Sequence, residues 1–443
     1  MTTSVVPMGI PGLQGGQRRQ WRKAYEADPI GYLARCRQEH GDVFMLEDSL
    51  VVITDPALVQ RVLVRTNREL VPNPKLLDGG GLPDADEVKA WMHVRDLAGQ
   101  ILKPAALRAH LPGIDQAVTA GLHQLSGRQF DPVAVAGETC LRASLPIWVP
   151  HDPPGLVPAL LPSVTAGLAL SDVAVRIPRW WPSLMRRRIR AARHAVDAQL
   201  HALLDSSPPP PAPGQPPTLL RRLVATAGQI PTEVAMKALG NALTSGIATM
   251  GGAWCWLLYH LASHPGDLDQ IRCEAAGAAG DPTASLPYTT AFVREVLRVH
   301  PPAWLLGRDT TVPVTLDEHY TVPPHTAVLF SPYLLHHDPR WWDRPGRFDA
   351  QRWLGSRPPH APYAYLPFGA GPRVCLGLHL GQLLLVRTAA HIATAFDLHL
   401  TRHPPAVPPR LATLLLPTGL TCTLTPRGRA ARPRANSIRV CTH

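Results

Sequence analysis

Apolar and polar positions alternate along this chain with two periods, and the punctuation between them sets the elements. Asp28-Pro-Ile-Gly-Tyr-Leu-Ala-Arg-Cys-Arg-Gln-Glu-His40-Gly41 opens on a proline and stops on a glycine, which predicts a helix. The β-branched runs Val43 to Leu46 and Val51 to Thr54 predict a short hairpin after it. Thr289 to Val299 has helical spacing, and Pro231 to Ser263 is a long apolar stretch closed by His264-Pro265. Because that stretch is apolar all round, it predicts a buried central helix. Residues 398–427 alternate and predict terminal strands, with a turn near Pro417-Thr-Gly419 that points into a pocket.

Other stretches carry no period. Residues 1–20 hold Gly and Pro signals and predict a flexible start that ends at Trp21. Residues 69–86 are rich in Pro, Gly and Asp and predict a loop, and Pro178-Arg-Trp-Trp-Pro182 interrupts two helical stretches within 155–185. Ser206-Ser-Pro-Pro-Pro-Pro-Ala-Pro-Gly-Gln-Pro-Pro217 predicts a stiff surface connector. The basic tail 428–443 predicts disorder, leaving 21–427 as one domain.

Composition narrows the class. At 45% hydrophobic residues the 443-residue chain can bury a core, yet it has no uninterrupted apolar run of membrane-spanning length and no signal-peptide start. A cytoplasmic protein without a membrane anchor is expected. The seven cysteines lack C-x-x-C spacing, which argues against a disulfide framework and a structural zinc site. Much of the net charge of +11 is local, in Arg186-Arg-Arg-Ile-Arg190 and in the acid-free tail. An acidic electron-transfer protein suits such charge better than nucleic acid, because complementary charge speeds transient docking. Lys89, Lys103 and Arg387 are candidate contacts for it.

One cysteine stands apart. An isolated cysteine is most often a small buried hydrophobe, but Cys375 sits in Phe368-Gly-Ala-Gly-Pro-Arg373-Val-Cys375-Leu-Gly377. Glycines there allow tight turns and close approach to a flat macrocycle, Pro372 limits the loop, and amide N–H groups in such a turn can stabilise a thiolate. Thiolate ligation of haem iron favours O–O cleavage.

Phe368, Gly371, Arg373, Cys375 and Gly377 match the haem loop of the cytochrome P450 superfamily, and the chain resembles a soluble, bacterial-type member over residues 10–427. Further motifs stand in order upstream. Glu295-Val-Leu-Arg298 resembles the family's Glu-x-x-Arg pair, with Arg352 of Phe348-Asp-Ala-Gln-Arg352-Trp353 as third member of a structural network. Trp91-Met-His-Val-Arg95 sets an indole N–H and a guanidinium on one helical face, both donors suited to a propionate. Arg308 and Arg373 resemble the family's other propionate partners.

The resemblance implies a mainly α fold with a smaller β part, and one haem b between the long central helix and the cysteine loop. It implies a monomeric haem-thiolate monooxygenase that inserts one oxygen atom from O2, with electrons from a ferredoxin and its reductase or a similar donor. Ser245-Gly246-Ile247-Ala248-Thr249 aligns with the oxygen-binding signature, Gly246 leaving space and Thr249 relaying protons. Ala248 departs from the pattern, since the family usually carries Asp or Glu there, and a positioned acid contributes about 10²–10⁴-fold. Gly251 and Gly252 either let the helix bend or allow close packing. Leu243, Ala248, Ala303, Trp304, Leu305 and Leu416 are the candidate lining for an apolar substrate such as a terpene, polyketide or fatty chain. A peroxide-driven peroxygenase and a non-catalytic haem-thiolate ligand sensor are the alternatives.

Overall fold

A computed structural model of the chain describes residues 9–13, 15–72, 92, 95–150, 155–171, 184–206, 216–226, 231–278, 281, 283–401, 407 and 409–427. The chain divides into two compact units, Met1–Val88 with Leu297–Phe348 and Gly355–Cys375, and Lys89–Val296 with Asp349–Leu354 and Leu376–His443.

In the first unit the helix Pro29–His40 starts where the Asp28 carboxylate accepts the Gly31 amide at 2.9 Å. It stops at Gly41, whose φ of 88° is open to glycine, and the Gly41 amide closes on the Arg37 carbonyl. The hairpin follows as expected, Val43–Glu47 antiparallel to Leu50–Ile53. These strands begin a five-stranded sheet ordered Val43–Glu47, Leu50–Ile53, Ala327–Phe330, Leu306–Thr310, Leu70–Pro72. Alternation along the strands serves two cores. Val51, Ile53, Val328 and Phe330 pack with Val59, Val62 and Leu63 of the helix Pro56–Val64. Phe44, Leu46 and Val52 pack instead with Leu13, Trp21, Leu33 and Cys36. Burying each such aliphatic side chain contributes about 1.5–3 kcal/mol.

That second cluster corrects the expected loose start. A helix runs over Gly15–Ala27, and before it the Leu13 amide bonds the Met45 carbonyl while the Met45 amide bonds the Pro11 carbonyl. The free edge of the first strand takes up residues 11–13, and Leu13 is drawn into the apolar cluster.

In the second unit the long helix spans Thr232–Ser263, from Pro231 to His264, as the sequence predicts. Burial is not uniform along it. Residues 251–258 are buried, but Glu233, Asn241, Gly246 and Thr249 are exposed, so its first half is amphipathic. The Trp256 indole donates to the Leu415 carbonyl at 3.0 Å and fixes the hairpin of Pro409–Leu411 with Leu415–Pro417. Gly251 is a packing glycine: a methyl group there would meet Ala136 Cβ at 3.3 Å, on the neighbouring helix Pro132–Trp148. The terminal strand Cys422–Pro426 is the centre of a three-stranded sheet and pairs with Phe396–Leu400 on one side and Gln129–Phe130 on the other. The expected turn falls after Leu415–Pro417, at Gly419 with φ 67°.

Helices Leu156–Ser171 and Leu184–Asp205 flank the interrupted segment as predicted. Pro178 to Pro182, most of the proline connector, the loop beyond Pro72, the tail from 428, Lys89 and Trp91 lie outside the described residues. Among the described residues no helix is long and apolar enough to cross a membrane.

Candidate functional site

The cysteine loop owes its shape to backbone geometry that glycine permits. Gly369 and Gly371 take φ of 65° and 74°, a region costly to residues with a Cβ. A Cβ on Gly371 would also lie 2.4 Å from the Leu63 carbonyl oxygen. From there Gly371–Arg373 forms a single 3-10 turn, with the Val374 amide on the Gly371 carbonyl at 3.0 Å. The Cys375 amide then donates to the Phe368 carbonyl at 2.9 Å and closes the loop. Cys375 itself is exposed. Cys36, Cys140, Cys255 and Cys422 are buried instead, and burial pushes the Cys422 thiol up to about 12. Gly377 caps the helix Leu378–Ala395.

Two arginines of the first unit are held by neighbours the sequence does not advertise. Arg373 Nε donates to Asn67 Oδ1 at 2.7 Å, and Asn67 has φ 72°. Asparagine is among the few residues that take this conformation readily. Arg308 lies on the strand Leu306–Thr310, opposite Pro72. Its Nε donates to Thr66 Oγ1 at 3.0 Å and its Nη1 to the Gly307 carbonyl at 2.7 Å. Only 8% of Arg308 is exposed, and no carboxylate among the described residues pairs with it. Burial without a counter-charge lowers its pKa to about 10. A buried guanidinium in this state fits an anionic group brought by a ligand.

The residues expected to form a structural network are held by different partners in each unit. Within the second, Glu295 is fully buried and accepts Arg352 Nε at 3.0 Å, Trp353 Nε1 at 2.8 Å and the Asp349 amide at 2.9 Å. Within the first, Arg298 donates to the carbonyls of His336, Pro345 and Arg347 and lies 5.3 Å from the centre of the Trp342 ring. Trp353 and His336 were not legible as members; each needs the fold to bring it there.

On the long helix a Cβ at Gly246 would meet nothing within 4 Å, and Thr249, one turn on, is exposed. Arg95 is half-buried in a helical run over 95–101. Among the candidate lining residues Leu243 and Trp304 are buried, whereas Ala248, Ala303, Leu305 and Leu416 keep exposed surface. Leu305 packs partly against the Trp21 cluster. Arg387 is not an available contact for a partner: it is bidentate to Asp115, with Nε at 2.6 Å and Nη2 at 2.5 Å, and His391 Nε2 lies 3.3 Å from the same carboxylate. That pairing ties Leu378–Ala395 to Pro104–Leu125 and holds the Asp115 carboxyl below its ordinary pKa despite the opposing effect of burial.

A family model described as Cytochrome P450 matches residues 167–423. The chain belongs to the cytochrome P450 family. Human cytochrome P450 4A22 is 34% identical over 168 residues, 36% of this chain and 32% of that protein, so the match spans about a third of the human relative. Cytochrome P450 132 of Mycobacterium bovis is 27% identical over 339 residues, 70% of each chain. Solved structures under this level of identity bear on the fold alone. The haem domain of cytochrome P450DA superimposes with a TM-score of 0.79 at 18% identity, over 96% of this chain and 98% of that one. A cytochrome P450 from Thermus thermophilus gives 0.73 at 22%, over 95% and 100%. The mainly helical P450 fold with its smaller sheet part is thereby established, and haem is the family's cofactor.

Proposed function

We propose that this P450 is a haem-thiolate monooxygenase acting on a compact apolar small molecule, with electrons from a separate ferredoxin-type donor. When bound, haem supplies the chemistry that inserts one oxygen atom of O2 into the substrate. The observation that carries the reading is the cysteine loop, in which a closed backbone ring presents an exposed Cys375.

In this reading Cys375 would ligate the iron through Sγ. Gly371 seats the loop on Leu63, Gly369 leaves space open for the cofactor, and amide donors in the loop would favour the thiolate over the thiol. Arg308 and Arg373 would hold propionate, with Arg95 and Trp91 as further candidate donors. Arg308 is suited to the task because its guanidinium is already desolvated and oriented by Thr66. Gly246 would leave room for oxygen beside the long helix, and Thr249 Oγ1 would be the hydroxyl that relays protons there. Ala248 carries no acid, so protons would have to reach Thr249 through water, a substrate hydroxyl or another side chain. Ala303, Leu305 and Leu416 bring apolar surface without fixed charge, which suits a terpene, polyketide or fatty chain.

The missing acid at Ala248 favours a second reading, a peroxygenase in which peroxide brings both oxygen and protons. The discriminating experiment supplies NADPH, ferredoxin and ferredoxin reductase under ¹⁸O2 with a panel of apolar substrates. NADPH-dependent product carrying one ¹⁸O supports the monooxygenase. Product from hydrogen peroxide alone replaces it with the peroxygenase, and substrate binding without turnover replaces it with a ligand sensor.

A further inference from the structure

His336 is fully buried at the end of the short helix Pro332–His336 and takes no part in the chemistry above. Its two ring nitrogens are both engaged. Nδ1 lies 3.0 Å from the Arg298 carbonyl oxygen, and Nε2 lies 2.8 Å from the Leu366 amide nitrogen. A carbonyl only accepts and an amide only donates, so Nδ1 carries the proton and Nε2 offers its lone pair. The ring is therefore neutral with a fixed tautomer. Burial, with Arg298 and two histidines, His337 and His360, nearby, holds its pKa well below the ordinary value.

The contacts form a closed exchange. Arg298 Nη1 donates to the His336 carbonyl at 2.9 Å while His336 Nδ1 donates to the Arg298 carbonyl. That second carbonyl belongs to the last turn of the helix Pro287–Val299, where the helix itself provides no donor. On its other side the ring holds Leu366, and the loop begins there: the Leu366 carbonyl accepts the Gly369 amide at 3.1 Å, and the Phe368 carbonyl accepts the Cys375 amide. Trp342 and Tyr365 pack against the imidazole, with ring centres 6.3 and 5.2 Å away, so it has little freedom to turn.

We propose that His336 is the positioning residue of the cysteine loop: its Nε2 lone pair anchors the Leu366 amide and so sets where the Cys375 sulfur stands. The proposal rests on the reading of Cys375 as the thiolate ligand only for its spectroscopic consequence. Its structural consequence, the anchoring of residues 366–375, holds independently.

The test compares the haem-loaded wild type with His336→Phe, which keeps a ring and removes both bonds, and His336→Gln, whose Oε1 restores an acceptor near the Nε2 position. Hydrogen exchange by mass spectrometry is followed in the segment 364–376 and, as internal control, in 253–261. The carbon-monoxide spectrum of the reduced protein is recorded alongside. In His336→Phe the 364–376 segment should exchange about tenfold faster, as loss of one buried hydrogen bond implies, with the control unchanged. The red-shifted Soret band should give way in part to one at shorter wavelength, and His336→Gln should bring both readouts back toward wild type. Wild-type exchange and spectrum in His336→Phe would overturn the proposal, as would a His336→Gln protein no better than His336→Phe. Failure of both variants to fold would also overturn it, since an ordinary core residue would then account for everything. A wild type that shows no red-shifted band, with the exchange pattern intact, would sink the thiolate reading and leave the anchoring in place.

Discussion

Gly371 stands so close to Leu63 that a methyl group in place of its hydrogen would fall 2.4 Å from the Leu63 carbonyl oxygen. The helix Pro56–Val64 and the turn Gly371–Arg373 therefore meet backbone to backbone, and the loop that carries Cys375 is seated on the end of that helix.

Gly371→Ala is expected to be costly on two counts, the contact with Leu63 and a φ of 74°. The conformational part alone is about 1–2 kcal/mol, and relief of the contact must shift the loop. Purified Gly371→Ala protein should retain less haem per chain than wild type and unfold at lower denaturant. Full haem content with an unchanged midpoint would mean that the loop has room the structure denies it.

Glu295 and Arg352 offer a second test. Their pair is buried, with side chains 0% and 8% exposed. Removing one partner strands the other charge, and Arg352→Leu should lower unfolding stability by about 3–5 kcal/mol. Chemical denaturation reads it directly; a loss below about 1 kcal/mol, the usual worth of an exposed pair, would contradict the buried network.

Arg308 predicts opposite effects with and without haem. Its pKa of about 10 lies below the ordinary arginine range, so the unfolded chain binds this proton more tightly than the folded one. At neutral pH the buried charge therefore opposes folding of the haem-free chain, and that opposition fades as pH rises through about 10. A propionate reverses the balance. Arg308→Met should leave the haem-free protein no less stable while speeding haem loss to a scavenger roughly tenfold to a hundredfold, the worth of a hydrogen bond to a charged group. Haem loss at the wild-type rate would remove Arg308 from the cofactor site.

Acid lability follows from His336. Its folded pKa is well below 6.5, so below about pH 6.5 the unfolded chain takes up a proton that the folded chain refuses. Stability is complete above that pH and falls by about 1.4 kcal/mol per pH unit as acid is added. Asp42 and Asp338, lowered by Arg340 against the opposing effect of burial, and Asp115, lowered by His391 and then Arg387 against burial, add their own loss at more acidic pH. Between pH 6.5 and 5 the slope for His336→Gln should be shallower by one proton; an unchanged slope would contradict a neutral buried imidazole.

The proposed proton relay at Thr249 makes Ala248 the position to test next. Ala248→Asp should raise coupled turnover on the order of tenfold to a hundredfold, the lower part of what a positioned acid contributes. Thr249→Ala should lower product formed per NADPH while haem content stays constant. If neither variant changes coupling, protons travel by a route that avoids this stretch of the helix.

What the sequence made legible was local or carried by motif. The Asp28 cap, the Gly41 stop and the ends of the long helix follow from residues adjacent to them. Cys375, Glu295, Arg298, Arg352 and Arg308 were found through motif spacing, and the structure gives the last four their buried partners. Asn67, Thr66 and His336 escaped because their roles depend on pairings across 306, 242 and 30 residues of chain. Arg387 misled for the converse reason: a cation in the sequence does not reveal an Asp115 that lies 272 residues away. The first half of the long helix was read as buried because average hydrophobicity hides exposed positions such as Glu233 and Asn241.

The carbon-monoxide difference spectrum of the dithionite-reduced protein, recorded for wild type and Cys375→Ala, tests the central claim most directly. Thiolate ligation predicts a strongly red-shifted Soret band in the wild type that Cys375→Ala loses. A wild-type band at the shorter wavelength of thiol- or histidine-ligated haem, or a red-shifted band that survives in Cys375→Ala, would contradict the account.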